Sequence, residues 1–193
     1  ATEARLRRHW GNLCLQWIWQ PERMSSLSAA QSLTGQVWPA LASQPQVALW
    51  AIGGGTTLDL GKLLRWRFSD TESAMAHWRA NAWIEESHRH VLWCSPTTSG
   101  TGSEVTPWAT FWDLEADRPC KRSWHPEKGG HPECAWIDPW LTLSCPAQVT
   151  RDSGLDALSH ALESLWSRHA NRLSRPIAVE AARLAIETLP TVL

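Results

Sequence analysis

The sequence lacks several features that would place it in a common class of protein. It has no excess of basic residues: 18 Lys and Arg stand against 19 Asp and Glu, and the net charge of −1 argues against a nucleic-acid-binding protein that uses a broad basic field. No apolar run approaches the roughly 18 residues of a membrane span, and no apolar signal core follows the charged N-terminal residues. The five cysteines are odd in number and widely spaced, so we expect no disulfide framework and a cytoplasmic location.

Two residue types are also scarce. Tyrosine is absent although tryptophan occurs 15 times, and the only lysines are Lys62, Lys121 and Lys128. Tryptophan supplies a large apolar area and one hydrogen-bond donor, so we expect many of these side chains in a core or an interface. The chain does not begin with methionine, which suggests that it starts partway through a longer protein.

The apolar pattern that is present predicts an α/β region followed by helices alone. Three continuous apolar runs, over 47–52, 90–94 and 134–138, are typical of strands buried on both faces of a parallel sheet. At 193 residues, one domain and part of a second fit the usual domain size, and we expect domains over 1–147 and 148–193. The periodicity predicts helices over 4–10, 25–41, 56–66, 72–83, 153–166 and 174–189, a strand over 13–19, and paired strands over 109–113 and 122–124. Asp152 or Ser153 is expected to cap the helix over 153–166. The expected buried stripe of the helix over 174–189 is Ile177, Ala181, Leu184 and Ala185.

Two glycine-rich loops follow the first two of these apolar strands. The first contains Gly53, Gly54, Gly55 and Thr56 and leads into a helix, whose N-terminus presents free N–H groups and a positive dipole to a phosphate. The second, over 97–104, holds five hydroxyl groups and two glycines. Either could be a turn without a ligand, but two such loops at one sheet edge favour a shared nucleotide site.

Two further clusters could bind metal. Asp156 and His160 are four residues apart, which places a carboxylate and an imidazole on one helix face, where they could hold iron or zinc or form an ordinary polar pair. His169 points to nearly the opposite side of that helix. Four side chains in a loop region could form a structural zinc site, although no C-x-x-C pair occurs among them: Cys120, His125, His131 and Cys134.

Four motifs occur in an order that resembles the iron-containing (group III) alcohol dehydrogenase family over almost the whole chain. They are A-I-G-G-G-T-T-L-D-L-G-K over 51–62, P-T-T-S-G-T-G-S-E-V-T over 96–106, I-D-P-W-L-T over 137–142 and G-L-D-A-L-S-H-A-L-E over 154–163. Within the family, residues 106–113 look most like those of phosphonoacetaldehyde reductases.

The resemblance implies a Rossmann-like NAD(P)-binding domain, lacking its first strand, followed by the start of an all-helical metal-binding domain. It implies hydride transfer between NAD(P)H and a small aldehyde, with a divalent metal (Fe²⁺, or another such as Zn²⁺) polarising the aldehyde oxygen. The metal ligands would be Asp156 and His160. The implied cofactor-binding residues are Gly53, Gly54, Gly55, Thr56, Asp59, Thr97, Thr98, Ser103 and Lys121. The expected partners are the aldehyde or alcohol substrate and, in the full-length protein, a second copy of the chain.

Departures from the family pattern shape these expectations. Two further metal-ligand histidines of the family lie well downstream of Asp156 and His160, and the residue that usually discriminates NAD from NADP lies on the family's first strand. We therefore expect a middle portion of such an enzyme, with weak metal affinity and little or no dehydrogenase activity. The alternatives are a metal-dependent lyase of the dehydroquinate-synthase type, and a non-catalytic nucleotide-binding remnant or small zinc-binding module.

Overall fold

The computed structural model describes residues 4, 8, 16–20, 24–43, 47–82, 89–126 and 128–193. Five α-helices occur in these residues: α1 (Leu27–Ala42), α2 (Gly55–Leu64), α3 (Thr71–Ala80), α4 (Ala147–Trp166) and α5 (Ser174–Val192). Five strands occur with them: β1 (Ala48–Gly53), β2 (Val91–Pro96), β3 (Ala109–Asp113), β4 (Cys120–Trp124) and β5 (Cys134–Ala135). Single 3₁₀ turns lie at Ser103–Val105 and Pro139–Leu141.

The three apolar runs predicted as strands form one parallel sheet, in the order β1-β2-β5. The predicted α/β class with a parallel sheet followed by helices is therefore confirmed. Leu49 pairs with Leu92 and Gly53 with Pro96, so β1 and β2 end at the same edge of the sheet. Helix α2 lies close against one face, where a Cβ built at Gly61 would come within 2.9 Å of the Ala51 Cβ. On the other face, the rings of Trp50 and Trp93 meet edge to face at 6.0 Å.

The larger core lies between helices α1, α2 and α3 and the antiparallel hairpin of β3 and β4. Tryptophans fill much of it: the rings of Trp66 and Trp124 cross at 85° with their centroids 5.7 Å apart, and both side chains are buried. The Trp124 indole N–H donates to the Ala82 carbonyl, so this large apolar side chain also satisfies its one donor. The expectation that tryptophan builds the core thus holds for this part of the chain.

The first half of the chain departs from the sequence predictions in detail. Residues 16–19, predicted as part of a strand over 13–19, lie in no strand, and the rest of that segment is outside the described residues. Apart from residues 4 and 8, which are helical, the helix predicted over 4–10 is also outside them. Helix α3 ends before its predicted end because Asn81 takes a left-handed conformation at φ 49°, which asparagine tolerates better than most residues.

The third parallel strand is shorter than predicted. β5 ends at Ala135, although the Trp136 N–H still donates to the Cys94 carbonyl at 2.8 Å. The chain then turns into a 3₁₀ turn, in which the Asp138 carboxylate accepts the Trp140 N–H and Pro139 follows directly. The pairing has thus ended at Trp136, and because proline cannot donate to a strand ladder it does not resume at Pro139.

Helices α4 and α5 pack against each other after the sheet. The predicted cap at Asp152 or Ser153 is wrong: α4 begins at Ala147, next to Pro146, because an extended proline suits the position before a helix. The predicted buried stripe of α5 is also displaced, since Ile177 is 70% exposed. The buried residues of α5 are Ala178 and Ala182, small side chains that let the two helices approach closely. No helix among the described residues has the length and apolarity needed to cross a membrane.

Candidate functional site

The first glycine loop joins β1 to α2. Gly54 is the N-cap residue in an extended conformation, and its carbonyl accepts the N–H groups of Thr57 and Leu58. No side chain caps this helix, so the N–H groups of Gly55 and Thr56, which precede Thr57, and the positive end of the dipole remain available to a ligand. An anion at the carboxyl edge of the sheet would meet these groups first.

The second glycine loop lies directly against the first. The Thr97 N–H donates to the Gly53 carbonyl at 3.0 Å. A Cβ built at Gly54 would lie 3.4 Å from the Thr98 hydroxyl, and one at Gly55 would lie 2.8 Å from the Thr101 methyl. The two loops therefore form one site, and glycine at position 55 is required by their close approach.

A buried hydrogen-bond network lies behind the loops. The ammonium group of Lys62, which is 1% exposed, donates to the Trp108 carbonyl at 2.6 Å and to the Ser103 hydroxyl at 2.8 Å. It also contacts the hydroxyl of Thr106 at 3.2 Å and the carboxylate of Asp59 at 3.3 Å. Burial lowers the pKa of Lys62, and the neighbouring Asp59 opposes this effect.

Both carboxylate oxygens of Asp59 are engaged in the same network. One accepts the Ser103 hydroxyl at 2.6 Å and the other accepts the Thr110 N–H at 3.1 Å. Asp59 and Ser103 therefore hold the second glycine loop from its buried side. Their predicted contact with a cofactor stays a prediction. No role was predicted for Lys62 from the sequence. The available signal was a lysine one turn after an aspartate within an apolar helix.

The remaining predicted cofactor residues lie in different surroundings. Thr56, Thr97 and Thr98 are half-buried at the junction of the loops. Lys121 lies on β4, paired with Trp112 of β3, and its side chain is exposed. It belongs to the hairpin rather than to the two loops, so its role in cofactor binding also stays a prediction.

The predicted metal ligands lie on the surface of α4. The Nε2 atom of His160 is 3.4 Å from an Asp156 carboxylate oxygen, with side-chain exposures of 56% and 44%. An imidazole nitrogen and a carboxylate oxygen match the donors that Fe²⁺ or Zn²⁺ accepts. Over the described residues no group of three or more His, Cys, Asp or Glu side chains is placed to hold a metal ion, so this pair supplies two ligands.

The second loop also contacts the helix that carries this pair. A Cβ built at Gly100 would lie 2.3 Å from the Ser153 carbonyl oxygen, which is three residues before Asp156. The second glycine loop thus lies against α4 one turn before the predicted metal ligand Asp156. The two clusters were predicted separately, and this contact between them was not predicted.

The alternative zinc cluster does not assemble. Cys120 lies on β4 of the hairpin and Cys134 on β5 of the parallel sheet. The His125 ring packs on Trp108 with centroids 3.9 Å apart, and its Nδ1 contacts the Pro126 carbonyl. Within the part of the chain that the structure describes, these side chains do not converge on one point.

Known proteins resemble this chain in sequence. The sequence profile of the iron-containing alcohol dehydrogenase family matches residues 39–139. Aldehyde-alcohol dehydrogenase 2 of Entamoeba histolytica is 36% identical over 148 residues, which are 72% of this chain and 17% of that protein. The 1-propanol dehydrogenase PduQ of Salmonella typhimurium is 36% identical over 154 residues, which are 78% of this chain and 36% of that one.

A solved structure gives the same result for the fold. Sulfoacetaldehyde reductase from Bifidobacterium kashiwanohense, in complex with NAD⁺, superposes with a TM-score of 0.82 at 23% identity, over 98% of this chain and 48% of that one. The chain therefore spans less than half the length of these relatives. The profile match over 101 residues, the two relatives at 36% identity and the paired glycine loops lead to one conclusion: the chain belongs to the iron-containing alcohol dehydrogenase family.

Proposed function

We propose that this chain is the nucleotide-binding part of an alcohol dehydrogenase or aldehyde reductase that transfers hydride between NAD(P)H and a small aldehyde. The observation that carries the proposal is the contact between the two glycine loops at the N-terminus of α2. Gly54 faces Thr98, and Gly55 lies so near Thr101 that a Cβ added at position 55 would come within 2.8 Å of its methyl group. Backbone N–H groups and hydroxyls at such an edge suit a pyrophosphate and a nicotinamide amide.

The chain's own residues have separate tasks in this proposal. The first turn of α2 binds the pyrophosphate, and Thr97 and Thr98 orient the nicotinamide half of the cofactor. Lys121, together with Asp59 and Ser103 of the buried hydrogen-bond network, completes the cofactor site. Asp156 and His160 hold the metal, which, when bound, supplies Lewis-acid polarisation of the aldehyde oxygen. The contact between Gly100 and Ser153 keeps the cofactor loops next to that pair.

Several finer statements belong to the same proposal. We place the domain boundary at 147/148, where α4 begins, and we expect a homodimer for the full-length protein. The odd cysteine count supports a reducing, cytoplasmic location. The candidate substrate is phosphonoacetaldehyde, on the strength of the residues over 106–113. NAD and NADP are both candidates.

Nucleotide binding by the purified chain tests the proposal directly. Calorimetric titration with NADH and with NADPH should give saturable binding of at least one of them. Gly55→Ala should weaken that binding by about tenfold or more, because the added Cβ lies 2.8 Å from Thr101. Gly35→Ala is the matched control: it lies in α1, a Cβ there meets nothing within 4 Å, and the affinity should not change.

Two results would contradict the proposal: no binding of either nucleotide by the wild-type chain, or equal affinity in the wild-type and Gly55→Ala chains. A second assay addresses the reaction. NADH carrying deuterium at the transferable position should deliver it to the alcohol product when Fe²⁺ and an aldehyde such as phosphonoacetaldehyde are supplied. Because the described residues provide two metal ligands, we expect at most weak turnover, and product without deuterium would favour the lyase class.

A further inference from the structure

We infer that Lys62 is a positioning residue that fixes the second glycine loop against the first and thereby sets the width of the nucleotide site. This inference rests on the proposed function, since it concerns the same site. Lys62 lies about two turns after the start of α2, on its buried face, and its ammonium group reaches the segment that leaves the loop. Because its side chain is 1% exposed, we expect it to act on the cofactor through other residues.

The ammonium group joins three parts of the chain. Its acceptors are Asp59 on α2, Ser103 and Thr106 around the 3₁₀ turn, and the Trp108 carbonyl before β3. The last three lie 41, 44 and 46 residues away in sequence. A protonated lysine has three N–H donors, which match the three shortest of these contacts, so the buried charge is fully used.

A continuous set of contacts leads from this ammonium group to the glycines. Lys62 donates to the Ser103 hydroxyl, and the Ser103 N–H donates to the Thr101 hydroxyl at 3.2 Å. The methyl group of Thr101 then lies against Gly55, at the start of α2. Lys62 therefore fixes the distance between the two loops from behind, through Ser103 and Thr101.

Charge also explains why lysine is required here rather than an apolar residue. Burying an ammonium group costs free energy unless its hydrogen bonds are made, and a methionine of similar length would pack without that cost. Removing the charge leaves the Trp108 carbonyl and the Thr106 hydroxyl without their bond to Lys62, and Asp59 without its positive partner. Asp59 still accepts the Ser103 hydroxyl and the Thr110 N–H, so the segment from Ser103 to Trp108 is held more weakly while the apolar core remains intact.

Arg65, on the same helix, provides the matched comparison. It is fully buried and its guanidinium contacts both Glu133 carboxylate oxygens at 2.6 Å and the His131 and His90 carbonyls at 2.8 Å. These partners lie where β2 and β5 begin, at the far end of the sheet from the glycine loops. Arg65 thus anchors loops as Lys62 does, but at the end without a nucleotide site.

The test compares Lys62→Met with Arg65→Met in the purified chain. Both variants should be less stable to urea than the wild type. NADH affinity should fall about tenfold or more in Lys62→Met and stay within about twofold of the wild type in Arg65→Met. At saturation, NADH bound to Lys62→Met should emit closer to the free cofactor, because its nicotinamide is less enclosed; NADH bound to Arg65→Met should keep the wild-type emission spectrum.

Thr106→Val covers the case in which Lys62→Met does not fold. It removes one acceptor and keeps the charge, so it should fold and bind NADH several-fold more weakly. Similarly, Glu133→Gln replaces Arg65→Met as a control if the latter does not fold. The inference is wrong if a folded Lys62→Met or, failing that, Thr106→Val binds NADH like the wild type, or if the control loses as much affinity. Absence of nucleotide binding by the wild-type chain would instead refute the proposed function.

Discussion

Helices α2 and α4 each carry an acidic and a basic side chain one turn apart, and the structure places these two pairs in opposite surroundings. Asp59 and Lys62 are 14% and 1% exposed, whereas Asp156 and His160 are 44% and 56% exposed. The first pair is bonded to the second glycine loop and the start of β3. The second pair lies on the solvent-exposed surface of α4.

The difference follows from what packs over each helix. Helix α2 lies between the parallel sheet, α1 and the hairpin, so every polar atom on its inner face must find a partner inside the protein. Helix α4 packs mainly on α5, and large apolar side chains such as Trp166, Leu173 and Ile177 are 70–80% exposed on this pair. A pair inside a packed region therefore holds backbone in place, while a pair on an open face remains free to take a ligand.

The largest expected difference concerns tryptophans in the two regions. Trp124 is 1% exposed and packs on Trp66, so Trp124→Ala should lower the free energy of unfolding by about 3–5 kcal/mol. Trp166 is 70% exposed, and Trp166→Ala should change it by less than about 0.5 kcal/mol. Urea unfolding of both variants measures the two changes in unfolding free energy. Similar losses in both would contradict the contrast between the packed core around α2 and the exposed surface of α4 and α5.

The junction of the two regions should be nearly as sensitive. Gly100→Ala places a Cβ 2.3 Å from the Ser153 carbonyl oxygen, a backbone atom that cannot rotate away. The loop and α4 must separate, and we expect a loss of about 1–3 kcal/mol in unfolding free energy. Gly35→Ala meets open space and should stabilise the chain by about 0.5–1 kcal/mol. Equal effects of these two changes would show that the junction is not tight.

Acid should weaken the sheet region first. Burial would raise the pKa of Glu133, but hydrogen bonds from Arg65 and the Leu92 N–H outweigh this and lower it. Its contribution is complete above the unfolded-state pKa of 4.5 and is lost as pH falls through the lower folded-state pKa. Glu133→Gln should cost about 1 kcal/mol at neutral pH and less below pH 4. The exposed Glu163→Gln should leave urea unfolding unchanged at both pH values.

The smallest effect on stability is expected at the metal pair. Asp156→Ala and His160→Ala should leave metal-free unfolding unchanged within about 0.5 kcal/mol, because both side chains are exposed. Each should abolish the weak absorbance change expected when Co²⁺ is titrated into the wild-type chain. His169→Ala, an exposed histidine on the chain just after α4, is the control and should retain the signal. If His169→Ala were the one variant of the three to lose the signal, the metal ligand would be His169 and not Asp156 or His160.

Much of the fold was predictable because its signals are local. Continuous apolar runs predicted the parallel strands, and glycines directly after β1 predicted the sharp strand-to-helix turn. The start of α4 and the buried face of α5 were mispredicted for a physical reason. The sequence offered good caps at Asp152 and Ser153 and large apolar residues at Ile177 and Leu184. The packing of α4 on α5 instead favours small residues where the helices meet. A Cβ added at Gly154 of α4 would lie 2.5 Å from a methyl group of Leu189 of α5.

The α/β order, the two glycine loops and the family motifs follow from the amino-acid sequence alone, because each depends on residues within about ten positions of one another. The three-dimensional packing was needed to show that Thr98 and Thr101 face Gly54 and Gly55 and that Gly100 lies against Ser153. It was also needed to show that Lys62 donates to the Trp108 carbonyl, 46 residues away. Hydrogen-bond partners at such separations depend on how the elements pack, and a spacing rule along one helix could not distinguish the buried Asp59–Lys62 pair from the exposed Asp156–His160 pair.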